Sequence, residues 1–487
     1  MDSTEIKHPD GQLDKAQGKA APAARSASAK GQPSSKAKAP PTPEAVIELP
    51  KRPYRTHGGV HAAHMKNTAA SLSEELPVPS RVVISMQQHI GKVCEPLVKA
   101  GDLVTVGQKI ADSDSPVCSP IHASVSGKVK AIGTLLLPNG AEVKTIEIET
   151  DGLQTVCEDV KPPEVKRPED LLAAVRESGL VGLGGAGFPA SVKLNYHTPA
   201  RQVDTLLINA AECEPYLTAD CREMLESPED VVEGGRFLLR MLKLTRVIIG
   251  VEGNKPEAIA KLREVIASRK LEKRICVLKL KAAYPQGAEK VLVKACTNRT
   301  VPIGKIPADV GCIVMNVTSV GFLARYLRTG MPLISKRITV DGSAIAEPKN
   351  VIVPIGALMS DIAAFCGGFR EEPRKVLMGG PMMGTALYTL EYPIIKQNNG
   401  LIFMGQSEAA AVQPTDCIRC GRCVSACPMY LTPVNIQHLV QQRDIQGILD
   451  INVKGCMECG CCAYACPAHR PLVQFMRLAK SMTAGMA

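Results

Sequence analysis

The chain has 487 residues, which is enough for about three or four domains of ordinary size. Aromatic residues make up only 3% of the chain and tryptophan is absent, which argues against a nucleic-acid surface built on base stacking. The net charge of +10 is modest for this length, and no apolar run approaches the roughly 18 residues that a membrane helix needs.

Residues 1–50 form a low-complexity segment rich in Ala, Lys, Pro, Ser and Gln. Such a composition cannot bury enough apolar surface to offset its ordering entropy, so we expect a disordered tail. Its acidic residues argue against an organellar transit peptide.

Residues 51–155 are predicted to form a β domain. Short β-rich runs separated by turns predict strands at Arg81–Ser85, Val93–Val98, Val125–Ile132 and Val143–Glu149. The stretches 101–108 and 119–129 resemble the two halves of a lipoyl- or biotinyl-type sandwich hybrid. In that family a modified lysine lies between the halves, but Ala111–Pro116 contains no lysine. We therefore expect a docking or structural domain rather than a swinging arm.

Histidines and most cysteines are scattered along the chain. His57, His61 and His64 have no cysteine or carboxylate beside them, so a metal site there is disfavoured. Ten of the 18 cysteines lack paired spacing: Cys94, Cys118, Cys157, Cys213, Cys221, Cys276, Cys296, Cys312, Cys366 and Cys461. Without a signal peptide, this usage fits a reducing cytoplasm.

Residues 160–332 alternate predicted helices and strands. The helices are predicted at Pro168–Ser178, Ala219–Leu242, Pro256–Ser268 and Gly287–Ala295. The strands are predicted at Val203–Asn209, Arg246–Val251, Ile275–Lys281 and Gly311–Asn316. This alternation predicts a parallel α/β sheet covered on both faces.

A glycine loop follows the first of these helices and contains Gly182, Gly184, Gly185 and Gly187, with Phe188 and Pro189 after them. A dinucleotide fingerprint requires a strand before the loop and a helix after it, and neither is predicted here. The loop backbone could still approach a flat ring or a phosphate, which Lys193 would neutralise. A tight structural turn is equally compatible with the pattern.

Polar residues follow three of the predicted strands. They are Asn209, Glu212 and Glu214 after the first strand, Tyr284, Gly287 and Glu289 after the third, and Asn316, Thr318 and Ser319 after the last. Each group alone could be a solvated turn. Because the carboxyl ends of parallel strands meet at one edge, where such folds bind ligands, the groups together predict a ligand site.

Residues 333–400 predict a small β-grasp-like module, in which Gly379–Gly384 is interpreted as a structural turn. Residues 405–487 predict a helical domain, with a helix at Val434–Leu449. An apolar stripe of Leu472, Phe475, Met476 and Ala479 predicts a second helix packed on a core.

This last domain carries the strongest signal, because the pattern C-x2-C-x2-C-x3-C-P occurs twice. The pattern is typical of cubane iron–sulfur clusters, and the fourth cysteine of each run serves the other cluster. One [4Fe–4S] cluster is thus assigned to Cys417, Cys420, Cys423 and Cys466, and the other to Cys456, Cys459, Cys462 and Cys427. Zinc or disulfides are the weaker alternatives. Cys461 breaks the spacing and is interpreted as a spare thiol.

Together these motifs resemble the C-subunit family of the Rnf complex, the membrane-bound, ion-translocating ferredoxin:NAD oxidoreductase. The resemblance runs from about Tyr54 to Ala479 and includes His57–Gly59, Gln88–Gly91, the glycine loop, Glu212–Tyr216 and both cysteine runs.

The α/β and β-grasp parts also resemble the NADH-binding flavoprotein subunit of respiratory complex I. In that subunit the glycine loop and its lysine hold FMN, which implies this role for Gly182, Gly184, Gly185, Gly187, Phe188 and Lys193. The resemblance further implies cofactor contacts at Asn209, Tyr284, Gly287, Glu289, Asn316, Thr318 and Ser319, with Glu212 and Glu214 as catalytic carboxylates. Leu183, Ala211 and Ala288 replace an arginine, an aspartate and a glutamate, so dinucleotide contacts are expected to differ.

The resemblance implies a peripheral electron-entry subunit at the cytoplasmic face of the bacterial inner membrane, transferring electrons between NAD(H), FMN and two [4Fe–4S] clusters. The implied partners are membrane-embedded subunits of the same complex, an iron–sulfur subunit and, indirectly, ferredoxin. Two alternatives stay open. One is a soluble flavin/iron–sulfur reductase similar to cobalamin reductases. The other is a non-enzymatic electron relay with a vestigial flavin pocket, which Ala211 and Ala288 favour.

Overall fold

The computed structural model describes residues 48–196, 201–410 and 412–486. The predicted tail at 1–50 therefore lies outside the described residues except for its last three. No helix in these ranges is both long and apolar enough to cross a membrane.

The β domain consists of two small sheets that enclose an apolar core. The strands in this part of the chain are β1 (Ser73–Glu75), β2 (Arg81–Ser85), β3 (Glu95–Pro96), β4 (Leu103–Val104), β5 (Lys109–Asp112), β6 (Ile121–His122), β7 (Gly127–Leu136) and β8 (Glu142–Thr150). Of these, β1 belongs to the six-stranded sheet described below. The sheets have the orders β2-β8-β7-β4 and β3-β5-β6. Alternate side chains of β2 and β8, such as Ile84 and Ile146, point into the core. The strand predicted at Val93–Val98 shrinks to β3.

The α/β domain contains a parallel sheet of order β11-β10-β9-β12. Its elements are α1 (Pro168–Glu177), α2 (Ala190–Leu194), β9 (Thr205–Ala210), α3 (Ala219–Glu226), α4 (Pro228–Met241), β10 (Arg246–Glu252), α5 (Pro256–Ser268), β11 (Ile275–Leu280), α6 (Glu289–Thr297), β12 (Cys312–Asn316) and α7 (Val317–Thr329). The helix predicted at Ala219–Leu242 is two helices, because Pro228 begins a new one. Apolar cores cover both faces of the sheet, as predicted.

A six-stranded sheet of order β1-β14-β13-β17-β15-β16 follows. The new elements are β13 (Ser335–Asp341), β14 (Lys349–Pro354), α8 (Met359–Phe365), β15 (Lys375–Met378), β16 (Thr385–Leu387) and β17 (Gly400–Met404). Since β1 comes from residues 73–75, the N-terminal part of the chain completes this sheet.

The C-terminal domain is helical, as predicted. It contains α9 (Arg422–Ala426), α10 (Pro433–Gln442), α11 (Ile445–Asp450), α12 (Cys461–Tyr464) and α13 (Leu472–Met482). The helix predicted at Val434–Leu449 is interrupted by Arg443, whose φ of 56° ends α10. The stripe on α13 packs into the core, with Leu472, Met476 and Ala479 buried.

Candidate functional site

A cleft of about 440 Å³ lies at the carboxyl-terminal edge of the parallel sheet. The strand register explains why polar residues distant in the chain meet there. Asn209, one residue before the end of β9, lies directly opposite Asn316, which ends β12. Asn316 also caps α7, because its side-chain oxygen accepts hydrogen bonds from the amides of Thr318 and Ser319.

The structure brings together most of the predicted ligand residues. Those lining the cleft are Gly184, Gly185, Asn209, Glu212, Glu214, Tyr284, Gly287 and Asn316. The others do not line the cleft: Gly182, Gly187, Phe188, Lys193, Glu289, Thr318 and Ser319.

Some of the residues outside the cleft hold the glycine loop and its surroundings. Lys193 donates to Glu289 at 2.8 Å and to the carbonyl of Val314 at 3.1 Å, so its charge is already paired. The hydroxyl of Ser319 accepts from the amide of Leu183 at 3.1 Å, which ties the loop to α7.

Glu212 has both carboxylate oxygens engaged by a helix. They accept from the amides of Asp220 at 2.8 Å and Cys221 at 3.2 Å, at the start of α3. The helix N-terminus is partially positive and stabilises this buried carboxylate. Glu212 therefore orders the cleft wall as well as facing the cleft.

Asp220 is a cleft residue that the sequence patterns did not predict. Its carboxylate accepts from the Asn316 amide and the Thr318 hydroxyl, both at 2.8 Å. Burial raises the pKa of Asp220 to about 7, and the nearby Glu212 carboxylate contributes to this rise. No motif in the sequence marks this residue, which is one acid among several on a helix.

Lys66 was not predicted either, and it shapes the loop that carries both predicted catalytic carboxylates. Its ammonium group donates to the carbonyl oxygens of Glu212 at 2.9 Å, Glu214 at 2.8 Å and Leu217 at 2.5 Å. Burial lowers the pKa of Lys66. The lysine and the carboxylates are separated by about 150 residues, so no local pattern connects them.

The cleft fits a polar, aromatic ligand such as a flavin. The Gln397 amide oxygen and the Asn398 amide nitrogen are buried in its wall without a hydrogen-bond partner among the described residues. A flavin ring and its ribityl chain offer both donors and acceptors. At Gly184 a Cβ atom would lie 2.3 Å from the Asn316 amide nitrogen, so only glycine allows this close approach.

Two further cleft groups are shifted towards their neutral forms. Burial raises the pKa of Glu214, whose carboxylate accepts from the amide of Met382 at 3.0 Å. Burial also raises the pKa of the Cys213 thiol to about 12.

The interpretation of Gly379–Gly384 as a turn is incomplete, because Gly379, Gly380, Met383 and Gly384 also line the cleft.

The two cysteine runs have the same local backbone. In each run the amide two residues after the first cysteine donates to its sulfur at 3.4 Å, from Arg419 to Cys417 and from Glu458 to Cys456. A glycine in the left-handed region then begins a short helix, at Gly421 with φ 73° and at Gly460 with φ 80°. The repeat in sequence is thus a repeat in structure.

A small cavity lies among Cys456, Cys459 and Cys462 of the second run and Cys427 of the first. These are the four cysteines that the exchange of fourth ligands assigns to one cluster. Burial raises the pKa of Cys462 to about 12 and raises that of Cys427 and Cys456, so these thiols would release protons on binding iron.

The remaining four cysteines of the repeat differ in exposure. Cys423 and Cys466 belong to one apolar cluster around Leu472, whereas Cys417 and Cys420 are exposed. The structure therefore brings Cys466 of the second run to Cys423 of the first.

The cleft and the cysteine cavity share a wall formed by Met457 and Glu458. Cys461 lies at this junction and is fully buried, with its sulfur 4.0 Å from the carbonyl of Tyr284. It packs with Tyr284 and Cys459. This packing gives Cys461 a place in the junction, and its interpretation as a thiol outside the two ligand sets stays a prediction.

The segment from His57 to Val60, which we call the histidine tract, runs along the same junction. The amide of Gly59 donates to Ala426 at 2.9 Å, and Val60 exchanges backbone hydrogen bonds with Tyr284 at 2.7 and 3.0 Å. His57 stacks on Tyr430 at a ring distance of 4.2 Å. The tract thus connects the first cysteine run to the cleft.

Four family models match the chain. They are the RnfC barrel sandwich hybrid domain at residues 54–153, the Nuo51 FMN-binding domain at 175–325, the SLBB domain at 337–386 and the 4Fe-4S dicluster domain at 410–467. These matches confirm the predicted fold class, with an FMN-binding domain followed by a domain for iron–sulfur clusters.

Three relatives are similar over most of the chain. The C subunit of the proton-translocating ferredoxin:NAD(+) oxidoreductase complex of Clostridium ljungdahlii is 42% identical, over 87% of this chain and 93% of its own. The C subunit of the Na(+)-translocating complex of Acetobacterium woodii is 41% identical, over 87% and 96%. The C subunit of the ion-translocating oxidoreductase complex of Rhodobacter capsulatus is 40% identical, over 90% and 84%.

Proposed function

Since the chain belongs to the family of C subunits of ion-translocating ferredoxin:NAD(+) oxidoreductase complexes, we propose that it exchanges electrons between NAD(H) and the other subunits through one FMN and two [4Fe–4S] clusters. It acts as a peripheral subunit at the cytoplasmic face of the membrane. Its membrane-embedded partners couple the reaction to ferredoxin and to ion transport.

The flavin is assigned to the cleft. Gly184 and Gly185 leave room for a flat ring, and Asn209, Asn316 and Asn398 offer amide groups to its polar edge. Asp220 fixes the Asn316 side chain, so it acts as a positioning residue. Glu214, at the side of the cleft near the Gly380 turn, is available for the nicotinamide.

The clusters are assigned to the two sets of cysteines given above. When bound, FMN converts the two-electron hydride exchange of nicotinamide into the single-electron steps that cubane clusters carry. The protein's own contribution is to hold the two kinds of site close together and to exclude water between them. Met457, Cys461 and Tyr284 fill the space between the cleft and the cysteine cavity.

The shared wall of Met457 and Glu458 is the observation that carries this proposal. It makes the cluster of Cys456, Cys459, Cys462 and Cys427 the one next to the flavin. The cluster of Cys417, Cys420, Cys423 and Cys466, which has the exposed cysteines, is then the one that faces a partner.

Anaerobic purification followed by flavin, iron and NADH assays tests the proposal. We expect one flavin and about eight iron atoms per chain, and NADH should bleach the cluster absorbance. In Cys459→Ser, iron should fall by about half, NADH should still reduce the flavin, and the remaining cluster should be reduced much more slowly.

Gly184→Val should remove the flavin and retain the iron, because its side chain would clash with Asn316. Gly140→Ala is the control for backbone effects: its φ of 85° strains an alanine, but a Cβ atom there meets nothing within 4 Å, so the flavin should be retained. Full iron with neither flavin nor NADH reactivity in the parent protein would contradict the proposal and favour a non-enzymatic relay.

A further inference from the structure

His89, Cys94 and Cys118 converge in the sandwich domain, and none of them lines the cleft or the cysteine cavity. The first two lie between β2 and β3, and Cys118 lies just before β6. All three are buried, at 3%, 1% and 2% exposure. In the sequence Cys94 and Cys118 show no paired spacing, because 24 positions separate them.

The three ligand atoms form a compact triangle. The two sulfurs lie 3.4 Å apart, and His89 Nε2 lies 3.7 Å from Cys94 Sγ and 3.6 Å from Cys118 Sγ. In a tetrahedral site with Zn–S bonds of about 2.3 Å and Zn–N bonds of about 2.0 Å, ligand atoms lie roughly 3.5–3.8 Å apart. The triangle therefore has the dimensions of one face of a zinc tetrahedron.

The imidazole is oriented for metal binding. Its Nδ1 lies 3.1 Å from the carbonyl oxygen of Ile90, which assigns the hydrogen to Nδ1 and leaves a lone pair on Nε2. A carbonyl partner on the far nitrogen is the usual support of a metal-binding histidine. In the absence of metal, Nε2 accepts from the amide of Ser119 at 3.1 Å.

We propose that His89, Cys94 and Cys118 bind one Zn²⁺ ion. On binding, the two thiols release two protons, two Zn–S bonds and one Zn–N bond form, and a water molecule takes the fourth position. A disulfide explains the geometry less well. It needs sulfurs about 2.05 Å apart and has no use for an imidazole at equal distance from both.

The ion ties together two loops that support the glycine loop. On one side, the amide of Ile90, next to His89, donates to the carbonyl of Gly187 at 3.3 Å. On the other side, the buried ammonium group of Lys396 donates to the carbonyl of Pro120 at 2.6 Å and to that of Gly179, just before the glycine loop, at 2.7 Å. The site is thus a structural crosslink beside the glycine loop.

The zinc content of the full-length protein tests this proposal. After anaerobic purification, mass spectrometry of the metals should find about one zinc per chain. X-ray absorption at the zinc edge should report two sulfur ligands at about 2.3 Å and one nitrogen at about 2.0 Å. Zinc should fall at least about tenfold in the Cys94→Ser/Cys118→Ser double variant, with iron retained.

Two further variants guard against a folding artefact. Cys366→Ser removes a fully buried thiol from another core and should keep its zinc. His89→Gln keeps both thiols and a polar side chain, and should still lose the ion. The proposal is overturned if the parent protein has full iron and no zinc, if the double variant keeps its zinc, or if peptide mapping finds a Cys94–Cys118 disulfide.

Discussion

Lys66 is a partly buried cation whose ammonium group donates to three carbonyl oxygens of the loop from Glu212 to Leu217. Removing the ammonium group takes this donor from the Glu214 and Leu217 carbonyls, whereas the Glu212 carbonyl keeps Lys255 at 3.4 Å. Buried polar groups that lose a partner cost stability because their desolvation is no longer compensated. The consequence should reach the flavin, since the same loop forms one wall of the cleft.

Lys66→Met should therefore lower the free energy of unfolding by about 1–3 kcal/mol and reduce flavin retention. Denaturant unfolding and flavin release measure the two effects. Lys261→Met, at an exposed position on α5, is the matched control and should change neither. Unchanged flavin content in a destabilised Lys66 variant would show that the loop does not need this lysine to hold its shape.

Asp220 predicts a dependence of stability on pH. Its native pKa of about 7 lies above the ordinary value of 3.8, so the folded protein keeps a proton that the unfolded chain releases. This contribution to stability is complete below about pH 4 and is lost as pH rises towards about 7. Asp220→Asn cannot ionise and should lack this loss.

Melting temperatures at pH 5 and pH 8 test the Asp220 prediction. The difference between the two should be smaller in Asp220→Asn than in the parent protein by a few degrees. Asp114→Asn, at an exposed position, should behave like the parent. An unchanged difference in the Asp220 variant would mean that other groups set the pH dependence.

Among the structural elements, the segment from His57 to Val60 lies between the first cysteine run and Tyr284. Gly58 has a φ of 64°, and a Cβ atom there would lie 2.7 Å from the carbonyl carbon of Cys427. A side chain must therefore displace the backbone that carries Cys427, the ligand assigned to the inner cluster.

Gly58→Ala should make that cluster labile, with the loss of up to about half of the iron. Two effects could act in Gly58→Ala: the strain of an alanine at positive φ and the clash with the backbone of Cys427. Gly152→Ala separates them, because Gly152 has a φ of 75° but no atom within 4 Å of an added Cβ. It should show only the backbone strain of about 1–2 kcal/mol. Full iron in the Gly58 variant, measured after anaerobic desalting, would contradict the expectation.

In the molecule as a whole, Arg337 joins three parts of the chain. From β13 it donates to Glu223 at 2.5 Å and Glu226 at 2.9 Å on α3, and to the hydroxyl of Ser73 at 2.7 Å on β1. The side chains of Arg337 and Glu223 are only 8% and 2% exposed, so these ion pairs are little screened by water.

Arg337→Met should destabilise the protein by about 1.5–3 kcal/mol, because it removes charge-assisted hydrogen bonds, although Glu223 keeps Arg325 and Glu226 keeps Arg222 as partners. Calorimetry should show the main transition shifted to lower temperature, because one connection between the α/β domain and the six-stranded sheet is lost. Arg328→Met breaks a pair in which the arginine is 60% exposed, and should cost below about 1 kcal/mol. A single, unshifted transition for Arg337→Met would exclude this role.

Local patterns in the chain are enough to predict the cluster cysteines and the edge of the sheet where the ligand site lies. Both signals are short-range: ligand spacing within a loop, and polar residues directly after a strand. The topology rule then places the ends of β9, β11 and β12 together, although it cannot say which side chains face the cleft. Lys193 and Glu289, for example, pair with each other and do not line it.

Contacts between residues far apart in the chain emerge only from the folded structure. Lys66 beneath the Glu212 loop, Met457 between the cleft and the cysteine cavity, and the triangle of His89, Cys94 and Cys118 carry no periodic or motif signal. Each depends on packing between separate loops and domains, which a single sequence does not encode in its local spacing. Local sequence patterns are therefore enough to predict where the electron carriers bind. The residues that hold those sites in place come together only in the tertiary structure.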